Sequence, residues 1–385
     1  MIFQTKIKFL FRVLKLTNTK KIFICCTEQS GENICYNILS KIKKENFIIN
    51  GVAGKKSEKY LNHKFFDISD FNAMGIVEVL ININKYLKKI KFLTKEVLNN
   101  NYDLVICIDS PDFNYILAKK IKEKGFDKKI IQIVAPSVWA WRKNRAKKFS
   151  MYFDEILTLF KFENKYFTKF GLKSSFVGHP IYYISKIEKS FKNKKYISFL
   201  PGSRETEINK LFPYYQGAYE YLIEKKLKFK IFIPTLSHLE NIIKEKTKNW
   251  EIETIITTDS NIIDNLFNQT FLSVTCSGTA TLELAKKNIP QLIIYKFNFL
   301  TAIIAKLFVN VRYANLINII SNKMIIPELT NFNLTKKNFL EEFNKLLQID
   351  DLRITQIYNI NLNLKHFEAD HPPYEKITKR IMNSI

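Results

Sequence analysis

The chain reads as an α/β protein made of two doubly wound parallel-sheet domains facing across a cleft, and three observations predict this. Short apolar runs alternate with longer amphipathic or charged segments along most of its 385 residues, the pattern of parallel strands joined by crossover helices. The length exceeds the roughly 250 to 300 residues at which a single core stops growing. The alternation pauses at Gly178-His179-Pro180, passes through the charged stretch from Lys186 to Lys195, and then restarts. A hinge is expected there, giving a basic amphipathic extension over 1–20, domains over 21–184 and 185–335, and a helical tail over 336–385.

Taken in order, Lys21 to Cys26 forms the first strand, followed by a turn at Thr27 to Gly31 and a helix to about Lys44. Phe47 to Val52 is the second strand, Met74 to Leu98 a helix, and Leu104 to Ile108 a strand apolar enough to be buried on both faces. A helix from Tyr115 to Lys124 stops at Gly125, as a chain leaving a helix often does. Lys129 to Val134 is a strand, and Ile156 to Phe160 and Ser175 to Val177 complete the first half. The second half runs through strands at Tyr196 to Leu200, Lys228 to Ile233, Glu253 to Thr257, Phe271 to Thr275 and Gln291 to Tyr295. An apolar helix follows at Phe299 to Phe308, with terminal helices at Lys336 to Leu347 and Tyr374 to Met382.

Composition excludes several classes. The hydrophobic and charged fractions, 46% and 25%, belong to a folded chain rather than a disordered one. Cys25, Cys26, Cys35, Cys107 and Cys276 show no C-x-x-C or Cys/His ligand spacing, which argues against a disulfide scaffold or structural zinc and fits a reducing compartment. No run reaches the roughly 18 to 20 uncharged apolar residues of a membrane span. Lys6, Lys8, Arg12 and Lys15 break up the N-terminal apolar stretch, unlike a secretory signal. The net charge of +25 fits an anionic partner, nucleic acid or an acidic membrane surface, but a coding bias toward Lys, Ile, Asn and Phe accounts for most of the excess, so charge does not choose the partner. No nucleic-acid recognition motif accompanies it.

Chemistry is expected where strands hand over to helices. Cys276-Ser277-Gly278-Thr279-Ala280-Thr281-Leu282-Glu283 is a small-residue turn opening a helix, with Glu283 one turn deeper on the face of Thr279. Main-chain N–H groups at a helix start seat an anion, and a carboxylate one turn on can accept from a ribose diol. A plain cap followed by a surface Glu fits the same residues. Gly202, Ser203 and Arg204 form a second such turn, where a guanidinium could grip a diphosphate or simply meet solvent. Neither turn carries a G-x-G-x-x-G or a P-loop lysine. Asp109 ends the strand Leu104 to Ile108, in the position of a general base for an attacking hydroxyl, while Asp112 and Asn114 also suit helix capping. Glu28 follows the first strand in an equivalent place, and His179 stands alone at the hinge.

Eight motifs, in order, are similar to those of the lipid-A-disaccharide synthase family. They are Ser30-Gly31, Gly51 to Gly54, Met74 to Leu80, Ile108 to Asn114, Ala135 to Arg142, Val177 to Pro180, Leu200 to Arg204 and Ser277 to Glu283. The run Pro136-Ser137-Val138-Trp139-Ala140-Trp141-Arg142 is the most specific, since no folding rule asks for two tryptophans there. The resemblance covers about Lys21 to Leu329. It implies a GT-B glycosyltransferase fold and an inverting reaction needing no metal or other cofactor. UDP-2,3-diacylglucosamine would be the donor and 2,3-diacylglucosamine 1-phosphate the acceptor, joined through its 6-hydroxyl as a β-1,6 disaccharide.

On this implication the first domain takes the acceptor and the second the UDP-sugar. Asp109 is the base. Arg204 with Gly202, Ser203, Ser277, Gly278 and Thr279 holds the diphosphate, Glu283 the ribose, and Asn318 and Glu328 the donor sugar or phosphate. Glu28, Ser30, Gly31, Trp139, Arg142 and His179 fall on the acceptor side. Both substrates carry acyl chains, so the apolar Met74, Ile76, Val77 and Leu80 are expected to touch an anionic membrane at the cytoplasmic face of the inner membrane; a core-facing helix fits the same four residues. The first turn departs from the family's usual Ala-Gly-Glu-Ala-Ser-Gly-Asp, reading Cys26-Thr27-Glu28-Gln29-Ser30-Gly31-Glu32. Another UDP-N-acetylglucosamine-dependent enzyme would share the nucleotide half without the Trp139 run.

Overall fold

The computed structural model describes residues 19–42, 47–71, 83–140, 142–184, 194–296 and 312–385. The expectations for residues 1–18, for Met74, Ile76, Val77 and Leu80, for Trp141 and for the helix at 299–308 lie outside the described residues. Two compact units emerge, residues 1–180 together with 369–385, and residues 181–368.

The first unit contains β1 (Lys20–Cys26), α1 (Gln29–Leu39), β2 (Phe47–Val52), α2 (Lys55–Glu58), β3 (His63–Phe66), α3 (Ile83–Asn99) and β4 (Leu104–Ile108). It continues with α4 (Pro111–Glu123), β5 (Lys129–Ile133), α5 (Arg145–Ser150), β6 (Glu155–Thr158), α6 (Asn164–Thr168) and β7 (Lys173–Phe176). Its strands form one parallel sheet in the order β3-β2-β1-β4-β5-β6-β7. Alternate residues serve opposite faces: Ile22, Ile24, Ile106 and Ile108 enter one core, Phe23, Cys25, Val105 and Cys107 the other. A strand buried on both sides has no polar face, which is why these read as unbroken apolar runs.

The second unit contains β8 (Tyr196–Leu200), α7 (Glu205–Glu224), β9 (Lys230–Pro234), α8 (Glu240–Thr247), β10 (Thr254–Thr257), α9 (Ser260–Asn268) and β11 (Thr270–Cys276). Then come α10 (Thr279–Lys286), β12 (Gln291–Tyr295), α11 (Leu316–Ser321), β13 (Glu328–Thr330), α12 (Lys336–Gln348) and α13 (Asp350–Leu364). The sheet order is β10-β9-β8-β11-β12-β13, again parallel.

The last helix, α14 (Pro373–Met382), belongs to the first unit, where Ile377 and Ile381 are fully buried. Arg380 fastens it, donating from Nε to Glu155 Oε1 at 2.7 Å and from Nη2 to Ser175 Oγ at 3.2 Å. The separate tail expected over 336–385 is therefore corrected. Phe339 and Phe343 of α12 fill the second core while α14 fills the first, and the division falls after Pro180 instead of after 184. The first helix also stops at Leu39, five residues short of the expected Lys44, with Ser40 as its cap.

Candidate active site

A parallel sheet brings all its strand carboxyl ends to one edge, and a crevice opens where neighbouring strands send their connections in opposite directions. In the first sheet this reversal lies between β1 and β4, in the second between β8 and β11. The turns singled out in the sequence leave from these four strand ends.

At the first crevice Asp109 and Ser110 both adopt left-handed backbone, φ 54° and 44°, and Val134 at the end of β5 lies at φ 70°. Such values are unfavourable for residues with a Cβ, above all a β-branched one, and persist only where neighbours enforce them. Here Gln132 and Asn114, each fully buried, do so. The Gln132 amide donates to the carbonyls of Asp109, Ile133 and Val134 at 2.9 to 3.1 Å, and Asn114 Nδ2 donates to the Asp109 carbonyl at 2.7 Å. The Asp109 carboxylate then accepts from Ser30 Oγ at 2.5 Å. Gly31 allows this approach, because a Cβ there would stand 3.1 Å from that of Asp109 and 2.9 Å from Cys26 Sγ.

The surroundings are acidic. Glu28 has its pKa raised by burial of its carboxyl and then by the charge of Asp109. Asp112 is held by Arg145 at 2.5 Å, with Arg142 at 3.6 Å. Glu32, the lengthened residue of the altered turn, points away from the crevice: buried, it accepts from the N–H groups of Gly54 at 2.9 Å and Ser57 at 3.0 Å. The extra methylene thus serves the start of α2.

Trp139 donates from Nε1 to Glu163 Oε1 at 3.2 Å and meets Phe162 edge-on. Phe162 stacks on Phe160, which stacks on His179 with ring centroids 5.2 Å apart. Burial pushes the pKa of Glu163 up to about 8 and that of His179 down to about 4. His179 is therefore a neutral packed ring near neutral pH, offering shape instead of charge. The sequence reading missed Gln132, Arg145 and Glu163. A glutamine inside the otherwise apolar run of β5 was the available signal for the first.

At the second crevice Gly202 has φ 108°, a conformation that favours glycine, and a Cβ there would run into Glu207. Glu207 accepts from Ser203 N–H and Arg204 Nη1, both at 2.9 Å, so the chain's own carboxylate braces the turn that leads into α7. The Arg204 side chain is still 58% exposed, leaving the rest of its guanidinium presented outward. Because Leu200 of β8 pairs with Thr275 of β11, the Ser277-Gly278-Thr279 turn emerges beside it. Gly278 and Thr279 are exposed, and Glu283 lies one turn into α10, its pKa raised by burial and by Asp264 against the opposing charge of Lys287.

Asn318 and Glu328, expected to contact the donor, have their polar atoms engaged within the chain. Asn318 donates to the Ile326 carbonyl at 2.7 Å and accepts from Ile325 and Ile326 N–H. Glu328 accepts from the N–H groups of Ala314 and Asn315 at 2.9 and 2.8 Å. Both therefore shape the loop before β13, and neither presents a free polar group as placed.

The lipid-A-disaccharide synthetase family model matches residues 22–381. A lipid-A-disaccharide synthase of Rickettsia bellii is 33% identical over 374 residues, covering 92% of this chain and 97% of the relative. One from Acinetobacter baylyi is 30% identical over 368 residues, covering 90% and 93%. Among solved structures, a putative UDP-N-acetylglucosamine 2-epimerase of Listeria monocytogenes superposes with TM-score 0.60 at 12% identity, covering 95% of this chain and 96% of that one. MurG of Acinetobacter baumannii does so with TM-score 0.60 at 10% identity, covering 95% and 99%. At such identities these two speak to fold alone, the α/β GT-B class. The family match and the two relatives go further: this chain belongs to the lipid-A-disaccharide synthase family.

Proposed function

We propose that this glycosyltransferase moves 2,3-diacylglucosamine from UDP to the 6-hydroxyl of 2,3-diacylglucosamine 1-phosphate, with inversion. Asp109 takes the proton as the hydroxyl oxygen attacks the anomeric carbon, and the bond from that carbon to the UDP oxygen breaks. Arg204 and the N–H groups of the Ser277 to Thr279 turn stabilise the charge that develops on the departing diphosphate. With that positive field supplied by the protein, the step calls for no metal ion. Glu283 accepts from the ribose. The observation that carries the reading is the posture of Asp109 in a chain of this family: a carboxylate held on strained backbone, with a hydroxyl already 2.5 Å from it.

The test is disaccharide formation from the two acylated sugars in the presence of EDTA, with the anomeric linkage read by NMR. An α-linked product, no product, or a requirement for divalent metal would each overturn a stated part. Turnover with UDP-N-acetylglucosamine in place of the acylated donor would favour another UDP-sugar enzyme.

We also propose peripheral attachment to an anionic membrane. Among the described residues no helix is long and apolar enough to cross one. Helix α3, however, exposes Ile83 and Leu87 one turn apart on one flank, beside Lys91 and Lys95, the makeup of a face that dips apolar groups between anionic headgroups. Ile83→Ser with Leu87→Ser should lower flotation with phosphatidylglycerol vesicles at least threefold. Undiminished flotation would remove α3 from that role.

A further inference from the structure

Beneath the exposed Ser277 to Thr279 turn runs a chain of buried polar groups that the reaction above does not use. Thr281 and Asn315 are each 2% exposed. Asn315 Oδ1 accepts from Ile317 N–H at 2.8 Å as the cap of α11, so its Nδ2 faces Thr281 and donates to Oγ1 at 2.9 Å. The backbone N–H of Asn315 donates to Glu328 at 2.8 Å, and Gln291 Nε2 donates to the Thr281 carbonyl at 2.9 Å.

The hydrogen bonds leave one arrangement. A threonine hydroxyl has a single hydrogen, and an amide N–H pointing at its oxygen occupies a lone pair. The Thr281 hydrogen is thereby directed to the Gly278 carbonyl, 2.7 Å away, which also accepts from the Thr281 N–H at 3.1 Å. In a planar trans peptide the carbonyl of one residue and the N–H of the next point in opposite directions. Turning the Gly278 carbonyl inward therefore turns the Thr279 N–H outward, at the mouth of α10. Gly278, lacking a Cβ, has little of its own to resist rotation of this peptide.

We propose that Asn315 and Thr281 are positioning residues for the diphosphate turn, locking the Gly278–Thr279 peptide with its N–H toward the phosphate. The inference rests on the nucleotide reading above and extends it to two residues that touch no substrate. It separates phosphate recognition from nucleoside recognition, a distinction that a general packing role would not make.

The experiment titrates UDP and uridine separately into the full chain, by calorimetry and by NMR, for the unaltered protein, Thr281→Val and Thr281→Ser. Valine keeps the shape and removes the hydroxyl. It should weaken UDP about tenfold, the scale of one well-placed hydrogen bond, leave uridine within twofold, and raise the donor KM about tenfold with kcat within threefold. Serine restores the hydroxyl and should bring UDP back within twofold. If the valine variant does not fold, Asn315→Ser replaces it: serine still caps α11 but is too short to reach Thr281, and should weaken UDP about threefold and spare uridine. Equal losses for UDP and uridine, or unchanged UDP binding in a folded variant, would overturn the inference and leave the nucleotide reading standing. Failure of the unaltered chain to bind UDP would remove both.

Discussion

The two crevices sit at equivalent places in two similar sheets, yet they are made by opposite means. Among the described residues, five other than asparagine and glycine have left-handed backbone, and four of them, Asp109, Ser110, Val134 and Arg142, lie at the carboxyl edge of the first sheet. At the second edge such conformations fall at Gly202 and Asn331, residue types that adopt them at little cost. The first edge aims a single carboxylate, whose usefulness falls off steeply with misplacement, and neighbouring amides hold strained backbone to do it. The second presents main-chain N–H groups at helix starts, an arrangement that regular structure supplies unaided. A proton-removing side chain has to be aimed, whereas an anion seat has only to be kept open.

The largest expected effect breaks the first edge at its tip. Asp109→Asn keeps the volume and the backbone and removes the base, so kcat should fall about a thousandfold, within the span of general base catalysis, with an unchanged circular dichroism spectrum. Activity within tenfold of the unaltered enzyme would mean that the strain serves something else. Next comes the support. Gln132→Leu removes this donor from three carbonyls; Asp109 keeps Asn114 Nδ2 and Ile133 keeps the Asp109 N–H, while the Val134 carbonyl loses its amide partner, and a buried unsatisfied group costs about 1 to 3 kcal/mol. Tm should drop by several degrees and kcat about tenfold to a hundredfold, with donor KM changed less than threefold. Thr281→Val at the second edge is expected to show the reverse split, KM over kcat. If both variants shifted the same constant, the contrast between an aimed and an open edge would be lost.

Much of this was legible in the residues. Unbroken apolar runs mark strands buried on both faces, and the four turns at the two crevices follow such runs directly. Helix α13 escaped because its buried stripe, Arg353, Gln356, Ile357, Ile360 and Leu364, contains two polar residues, while Ile354, Tyr358 and Leu362 stand exposed. Apolarity therefore pointed the wrong way. The Gln356 amide exchanges two hydrogen bonds with the main chain of Gln291, and Arg353 donates to the Leu346 and Leu347 carbonyls, so both are interior by pairing rather than by character. Strands β3 and β13, of four and three residues, are too short to show a period. Gln132 and Asn315 were visible as letters, but their partners are fixed only by folding. For Asn318 and Glu328 the resemblance named the position, and the structure shows their atoms already engaged.

The smallest effect concerns charge near the first edge. An unfolded glutamate titrates near 4.3 and a histidine near 6.5. Burial raises Glu163 to about 8, against the opposing donors Trp139 and Phe160, so between about 4.3 and 8 the folded chain holds the extra proton. Stability from this group falls as pH rises through that window. Burial lowers His179 to about 4, so between about 4 and 6.5 the unfolded chain holds the extra proton and stability rises with pH. The two slopes oppose each other up to about pH 6.5, and above it Glu163 acts without that counterweight. At the second edge Glu283 and Glu328 are also raised, chiefly by burial, and add a fall of the same sign. Glu163→Gln should therefore lessen the loss of Tm between pH 6.5 and 8, by no more than about 1.4 kcal/mol per pH unit in stability. His179→Asn should uncover a falling Tm between pH 5 and 6.5. If the slope above pH 6.5 is the same with glutamine, the Trp139 indole is held by a carboxylate that titrates normally. The first edge would then lack, at Glu163, the burial that raises Glu283 and Glu328 at the second, and the two would differ in the burial of their acids as well as in backbone strain.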